Sequence, residues 1–430
     1  MSDAWAELRA LSEQDRMHGS RRVVPLLVAA ASIGYMCRVD VAVVAPGLMA
    51  DLRLSQAQMG EVFSAFLLGY TAFQIPSGWL ADRVNTRALF LVLLAGWALL
   101  TGAAAFVGRS LLGVTVAALP ALLLLRGALG ILAAPTYPAC GRAIAASVPP
   151  RLHGRANGAV LASIGIGSAV TPALLGFASV RWGWQPALLL AAALAALAGM
   201  LWWVLAPKSP SGARAQPAPT QAPLAGRPAQ PDHPSPLALR SFWFLAGSYT
   251  LQGYVGYVFV FWFYLYLVQV RRFNLLKAAW LTSLPWILSL AVIPLGGIAS
   301  DWALKRWGGT WGRRSVPMPA LILSAGLLAW GARTESSVLA VASLTLSTAL
   351  VLSSEGPYWA TMTQLSGPHS GIGGGVMNFG SNLGGLLSPL ATPWLASKIG
   401  WEAALSLTAV LAVLGALLWM GVEVRQISDE

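Results

Sequence analysis

Twelve apolar runs, most of them longer than 20 residues, leave this 430-residue chain few ways to fold. They cover about 23–49, 59–81, 88–108, 111–134, 156–179, 186–206, 241–268, 278–300, 316–333, 337–363, 372–396 and 402–422. A helix needs roughly 20 apolar residues to cross a bilayer. Hydrophobic residues make up 56% of the chain and charged residues only 10%, against about 25% charged in a soluble domain. A transmembrane β-barrel would show short alternating segments instead. The expected fold is an all-α polytopic membrane protein with twelve transmembrane helices.

Residues 1–22 form a polar N-terminal segment with Asp3, Glu7, Glu13 and Asp15. It has no apolar core or cleavage site of a signal peptide, so the first span is expected to serve as the targeting signal. Residues 207–240 hold nine prolines between Pro207 and Pro236 and read as a flexible, partly extended linker. The linker separates a six-helix bundle at 23–206 from a second at 241–422, and 423–430 form a tail. With both termini on one side, 18 of the 28 Lys and Arg fall on that side, 8 on the other, and Arg38 and Arg126 lie inside spans. The excess of positive charge marks the cytoplasmic face. Both termini and the linker are therefore expected there, and the net charge of +12 reflects orientation rather than nucleic acid binding. The two cysteines lie in or beside spans, and the four histidines are scattered. No disulfide framework, metal site or cofactor is expected.

Arg38 sits in the middle of the first span, within Gly34-Tyr35-Met36-Cys37-Arg38-Val39-Asp40. An arginine there costs about 2.5–3.5 kcal/mol on insertion scales, and such ions normally face a wet cavity or a partner. Pairing with Asp40 is poor, because i and i+2 point to nearly opposite sides of a helix. Tyr35 shares the face of Arg38. Arg126, inside span four, is a second intramembrane cation with either a ligand-binding or a structural role.

The two halves repeat one pattern. Gly78-Trp79-Leu80-Ala81-Asp82-Arg83 follows span two, with Arg87 beyond; Gly297-Ile298-Ala299-Ser300-Asp301-Trp302 follows span eight, with Arg313 and Arg314 beyond. The glycine suits close helix approach, and the acid can pair with basic loop residues. Parallel repeats of six spans are the arrangement of the major facilitator superfamily, which this sequence resembles along nearly its whole length. More narrowly, several stretches look like the anion:cation symporter branch of sugar-acid, sialin and vesicular glutamate carriers. They are Tyr35 to Asp40 with Ala45-Pro46, Gln58-Met59-Gly60 with Phe63 to Phe66, Gly69-Tyr70 and Gln74 to Arg83, Arg126 to Gly130 with Ala134 to Pro138, Trp262 to Leu267, and Asn378 to Gly385.

The resemblance implies a small organic anion, a carboxylate or sugar acid, moved by alternating access through a site near the midplane, usually together with protons. Arg38 then offers a planar fork to the carboxylate, with Tyr35 and Tyr70 as hydroxyl donors and Arg126 as a second cation. Asn378 and Asn382 share a face and can bond substrate hydroxyls, or act as interhelical glue. Tyr254, Tyr257, Trp262 and Trp359 can wall the cavity or simply pack. Gly78, Asp82, Arg83, Arg87, Gly297 and Asp301 are expected to gate conformational change.

Two departures matter. The branch usually has an acid directly before the span-one arginine, where this chain has Cys37, and often a glutamate where this chain has Ala133. Those acids are the ones credited with proton coupling. Asp40 and Glu355 remain. A carboxylate at lipid depth is costly to keep charged unless a cation holds it, so either acid is a candidate proton carrier or a neutraliser of Arg38 or Arg126. An uncoupled facilitator or exchanger is the first alternative, and an exporter of a zwitterion or cation the second. An organophosphate exchanger would want an arginine inside span seven, and Arg271 and Arg272 lie at its end. A membrane enzyme would want a polar catalytic cluster at one face, which the sequence lacks. The carrier is expected to work as a monomer in the lipid bilayer of a bacterial inner membrane.

Overall fold

The computed structural model describes residues 2–111, 114–115, 117–149, 152–207 and 235–424. Most of the linker and the end of the tail lie outside the described residues. The helices are α1 (Ser2–Leu52), α2 (Gln56–Arg83), α3 (Thr86–Ala104), α4 (Ala118–Ala133), α5 (Thr136–Ser147), α6 (His153–Trp182), α7 (Trp184–Leu205), α8 (Arg240–Phe261), α9 (Phe263–Gln269), α10 (Leu275–Trp307), α11 (Gly309–Arg314), α12 (Pro317–Arg333), α13 (Ser337–Ser353), α14 (Glu355–Ser366) and α15 (Ser370–Leu418). A two-residue antiparallel pair, β1 (Ser110–Leu111) with β2 (Val114–Thr115), precedes α4.

Among the described residues, nine helical segments are long and apolar enough to cross a membrane, ten if α8 and α9, bent by 50°, form one broken span. The longest of them breaks at Gly400, whose φ of +82° needs a residue without Cβ. That break divides α15 into two arms over the eleventh and twelfth expected spans. Helix α2 covers the second. Each of the twelve expected segments thus overlaps helical backbone among the described residues, and the fold is all-α.

Span ends differ from expectation where proline intervenes. Span four begins at Ala118 rather than 111, turns at Ala134-Pro135, and continues as α5 to Ser147. Span ten breaks at Ser354 and restarts at Glu355. Pro357 lacks the N–H that would bond the Ser353 carbonyl four residues earlier. Gly296 of α10 packs against that same carbonyl, where a Cβ would come within 1.8 Å of the oxygen.

The chain divides into two compact units, Met1–Val44 with Leu68–Ala222, and Ala45–Leu67 with Pro223–Glu430. In the first, glycines set the spacing of the helices. A Cβ at Gly69 of α2 would lie 2.2 Å from the Gly127 carbonyl oxygen of α4, and one at Gly167 of α6 would lie 2.7 Å from that of Ser32 in α1. Small residues admit such backbone contact in membranes. In the second unit, the segment Ala45–Leu67 packs on α8, α9 and α15. Phe63 stacks on Phe261 with ring centres 4.9 Å apart. Ser64 Oγ donates to the Leu386 carbonyl at 2.9 Å, and Gln56 Nε2 donates to Gln269 Oε1 at 2.6 Å.

Candidate functional site

The polar residues of span one are held deep in the first unit. Arg38 is 7% exposed and Asp40 is fully buried. The Arg38 guanidinium carbon lies 5.3 Å from the centre of the Tyr35 ring and 5.0 Å from that of Tyr70. Both are within cation–π range. The two tyrosines therefore offer Arg38 their ring faces, a role beyond the hydroxyl donation expected of them. The spacing of Tyr35 and Arg38 on one helical turn produces the first contact, and the Gly69–Gly127 approach carries neighbouring Tyr70 into the core.

Arg126 does something different. Its Nη1 donates to Asp40 Oδ1 and to the Cys37 carbonyl, each at 3.0 Å, and its Nη2 donates to the Arg38 carbonyl at 2.5 Å. The Arg126–Asp40 ion pair is almost wholly buried. Of the two roles open to Arg126, this geometry displays the structural one: the side chain fastens α4 to α1 beneath Arg38. Asp40 is likewise a neutraliser in this arrangement, and its partner is Arg126 rather than Arg38. A pair like this depends on further hydrogen bonds to repay its desolvation, and here two helix carbonyls each accept one from Arg126.

Tyr137, at the start of α5, was not singled out in the sequence. It lies close enough to Tyr35, Tyr70 and Arg38 to interact with them electrostatically. An aromatic hydroxyl between Pro135 and Pro138 was the available signal, since the break frees that turn from regular helix.

A second polar group occupies the second unit. Glu355, half-buried at the start of α14, accepts hydrogen bonds from the Tyr249 hydroxyl and from Gln252 Nε2, both at 2.9 Å. Trp359 Nε1 donates to the Tyr249 oxygen at 3.2 Å. Glu355 and Trp359 do share a face, and they meet through Tyr249. Gln252 and Tyr249 were missed, although a glutamine inside an apolar span is itself a signal. Nearby, the Tyr257 hydroxyl donates to Asn382 Oδ1 at 3.1 Å, and Asn382 Nδ2 donates to the Asn378 carbonyl at 2.8 Å and its Oδ1 at 3.3 Å. Asn378 and Asn382, named for their shared helix face, and Tyr257, named as a possible cavity wall, thus form one cluster. Trp262 is fully buried against Phe63 and Trp401, and Tyr254 hydrogen-bonds Thr392.

The repeated loop motif is best seen in its second copy. Arg313 Nη1 lies 2.9 Å from Asp301 Oδ1 and 3.2 Å from Ser300 Oγ, while its Nε donates to Gln364 Oε1 at 3.2 Å. In the first copy Arg83 lies over the Trp79 ring at 3.8 Å. Arg87 donates to the Trp203 carbonyl, and Arg142 donates to the carbonyls of Ala81 and Val84. The Asp82 side chain lies outside the described residues. Close helix approach is found at Gly297, where a Cβ on Gly356 of α14 would lie 2.9 Å from the Gly297 Cα. The preceding residue, Gly296, is tight as well, since a Cβ there would clash with the Ser353 carbonyl of α13. A Cβ at Gly78 would meet nothing within 4 Å among the described atoms.

The chain is similar over most of its length to several bacterial carriers. It is 26% identical to the hexuronate transporter of Bacillus subtilis, covering 92% of both chains. It is 28% identical to the probable sulfoacetate transporter SauU of Cupriavidus necator, covering 90% of this chain and 89% of that one. It is also 28% identical to the probable galactarate/D-glucarate transporter GudP of Bacillus subtilis, covering 93% and 91%. Among solved structures, a bacterial homologue of the human lysosomal transporter Spinster shares the fold, with a TM-score of 0.77 at 17% identity over 93% of this chain and 96% of that one. The nucleoside transporter NupG does so with a TM-score of 0.69 at 12% identity, over 93% and 99%. Residues 26–389 match the Major Facilitator Superfamily model, and the chain belongs to that superfamily as a multi-pass membrane transporter rather than an enzyme.

Proposed function

We propose that this protein carries a small organic anion, a sugar acid or similar carboxylate, across the bacterial inner membrane by alternating access coupled to protons. It does so as a monomer with both termini cytoplasmic. The observation that carries the reading is the setting of Arg38. Two tyrosine rings orient its guanidinium, while Asp40, the nearest acid along the helix, is engaged by Arg126. The buried charges of this region, two arginines and one aspartate, sum to +1. A planar guanidinium in a low-dielectric setting with surplus positive charge suits a carboxylate. The bacterial relatives named for hexuronate and galactarate/D-glucarate support the sugar-acid class. An exporter of cations would need Asp40 to face its substrate, and the ion pair with Arg126 argues against that.

The test is a thermal-shift panel on the purified protein in detergent. A ligand at about 100 times its Kd stabilises the folded state by about 2.7 kcal/mol. Hexuronates and aldonates are expected to raise the melting temperature, and the matching neutral sugars to leave it unchanged. Equal stabilisation by neutral sugars would remove the role of Arg38.

The Asp301–Arg313 pair is assigned to gating. Asp301→Asn is expected to lower the transport rate several-fold with little change in substrate affinity, measured by uptake and by thermal shift side by side. Unchanged turnover would remove the assignment.

A further inference from the structure

We infer that Glu355 is the proton-carrying group and that transport is an electroneutral symport of one proton with one monoanion. This rests on the organic-anion reading above and deepens it.

The two intramembrane acids differ in the donors around them. Arginine has donors and no acceptor, so Arg126 supports Asp40 best as a carboxylate and offers no acceptor to a proton on it. The partners of Glu355 are of another kind. Trp359 N–H can only donate, so it takes a lone pair of the Tyr249 oxygen and leaves the hydroxyl proton for Glu355 Oε2. Gln252 donates to Oε1. If the carboxyl gains a proton, the Tyr249 hydroxyl can rotate and accept, or the Gln252 amide can turn its oxygen. The network therefore serves both charge states without moving a helix. It does not suit a metal ion, which wants several oxygen acceptors turned inward, because an O–H and an N–H point at the carboxylate.

Among the described residues, the partners of Glu355 are the neutral side chains of Gln252, Tyr249 and Trp359. The titratable groups facing it are Tyr249 on α8 and Tyr358 on its own helix, and Tyr358 is bonded to Ser248 Oγ at 2.5 Å. Helix α10 packs against α14 where Gly297 meets Gly356, and α15 packs against α14 through Gly373 and Gly374.

The stoichiometry follows from charge. Among the described residues, the ions well inside the spans are Arg38, Arg126, Asp40 and Glu355. With all four ionised, the empty carrier is neutral at membrane depth. A monoanion alone makes it −1, and a proton alone makes it +1. Both together restore neutrality. An uncompensated charge at lipid depth is costly, so the empty and doubly loaded forms change conformation readily and the singly loaded forms do not. The proton adds to a Glu355 carboxylate oxygen from water on the entry side and returns to water on the exit side. The substrate is unchanged.

The test uses full-length protein in proteoliposomes with labelled hexuronate as the monoanion. An inside-alkaline gradient of one pH unit is expected to give about tenfold accumulation, since one unit is a factor of ten for a single coupled proton. A potassium–valinomycin potential of either sign should leave that ratio unchanged. Glu355→Gln is expected to lose pH-driven accumulation while retaining measurable hexuronate counterflow. Tyr249→Phe, which keeps the carboxylate and removes one donor, should shift the pH profile of uptake. Accumulation near one hundredfold, a response to potential, or pH-driven accumulation by Glu355→Gln would overturn the inference while leaving the anion reading intact. Absence of counterflow with any carboxylate in the wild type would overturn both.

Discussion

Replacing Arg38 by lysine is expected to reduce transport by about 100-fold or more, nearly as much as replacing it by alanine. Both variants lose the planar fork, and truncating one partner of a buried charged pair costs about 2–5 kcal/mol or more. Lysine keeps the charge, but as a point charge on a flexible stem it cannot hold two parallel bonds to a carboxylate. Nor does it stack well between Tyr35 and Tyr70, whose rings lie 5.3 and 5.0 Å from the guanidinium carbon. Uptake and ligand-induced thermal shift measured together separate lost binding from lost folding. Near-normal uptake by the lysine variant would show that charge alone suffices and would remove the bidentate geometry.

Arg126→Met is expected to act on stability. Removing one partner of a buried ion pair costs about 3–5 kcal/mol, and here the change also removes the bonds Arg126 gives the Cys37 and Arg38 carbonyls. Asp40→Asn should destabilise for the mirror reason, leaving Arg126 buried against a neutral group. The double variant Asp40→Leu with Arg126→Met should recover part of the loss, since apolar replacement of a buried pair is often neutral or better. Melting of the purified variants gives the coupling directly. If Asp40 were the proton carrier, Asp40→Asn would instead fold normally and lose only its response to a pH gradient.

The spans were legible because a bilayer accepts only closed hydrogen bonding, which forces long apolar runs into the sequence. Arg38 was legible for the same reason, as a charge where charge is costly. Contacts across the chain were less so. Spacing disfavoured an Arg38–Asp40 pair and left both Arg38 and Arg126 open as partners for Asp40, but nothing local could choose Arg126, because it lies 86 residues away. Tyr249 and Gln252 meet Glu355 across more than 100 residues, and only packing decides such a meeting. Asn378 and Asn382 fared better, since an i, i+4 pair must share a helix face, whereas their meeting with Tyr257 crosses 125 residues. The G-x-x-x-D pattern found Gly297, at the approach to Gly356 of α14, and passed over Gly296, at the approach to Ser353 of α13. A G-x-x-x-D pattern marks a region, whereas the face a glycine presents depends on the neighbouring helix and its proline break. Within the candidate site, Cys37 and Ala133 removed the usual acids, and the sequence could not choose between Asp40 and Glu355. Their hydrogen-bond partners, a donor-only arginine against a hydroxyl and an amide, support the choice of Glu355.

The measurement that tests the central claim most directly is uptake of a panel of small carboxylates into proteoliposomes, with and without an imposed proton gradient. The account predicts that sugar monocarboxylates enter, accumulate above equilibrium only when the lumen is alkaline, and do neither with Arg38→Ala. Uptake of no carboxylate, or equal uptake by the Arg38→Ala protein, would contradict it.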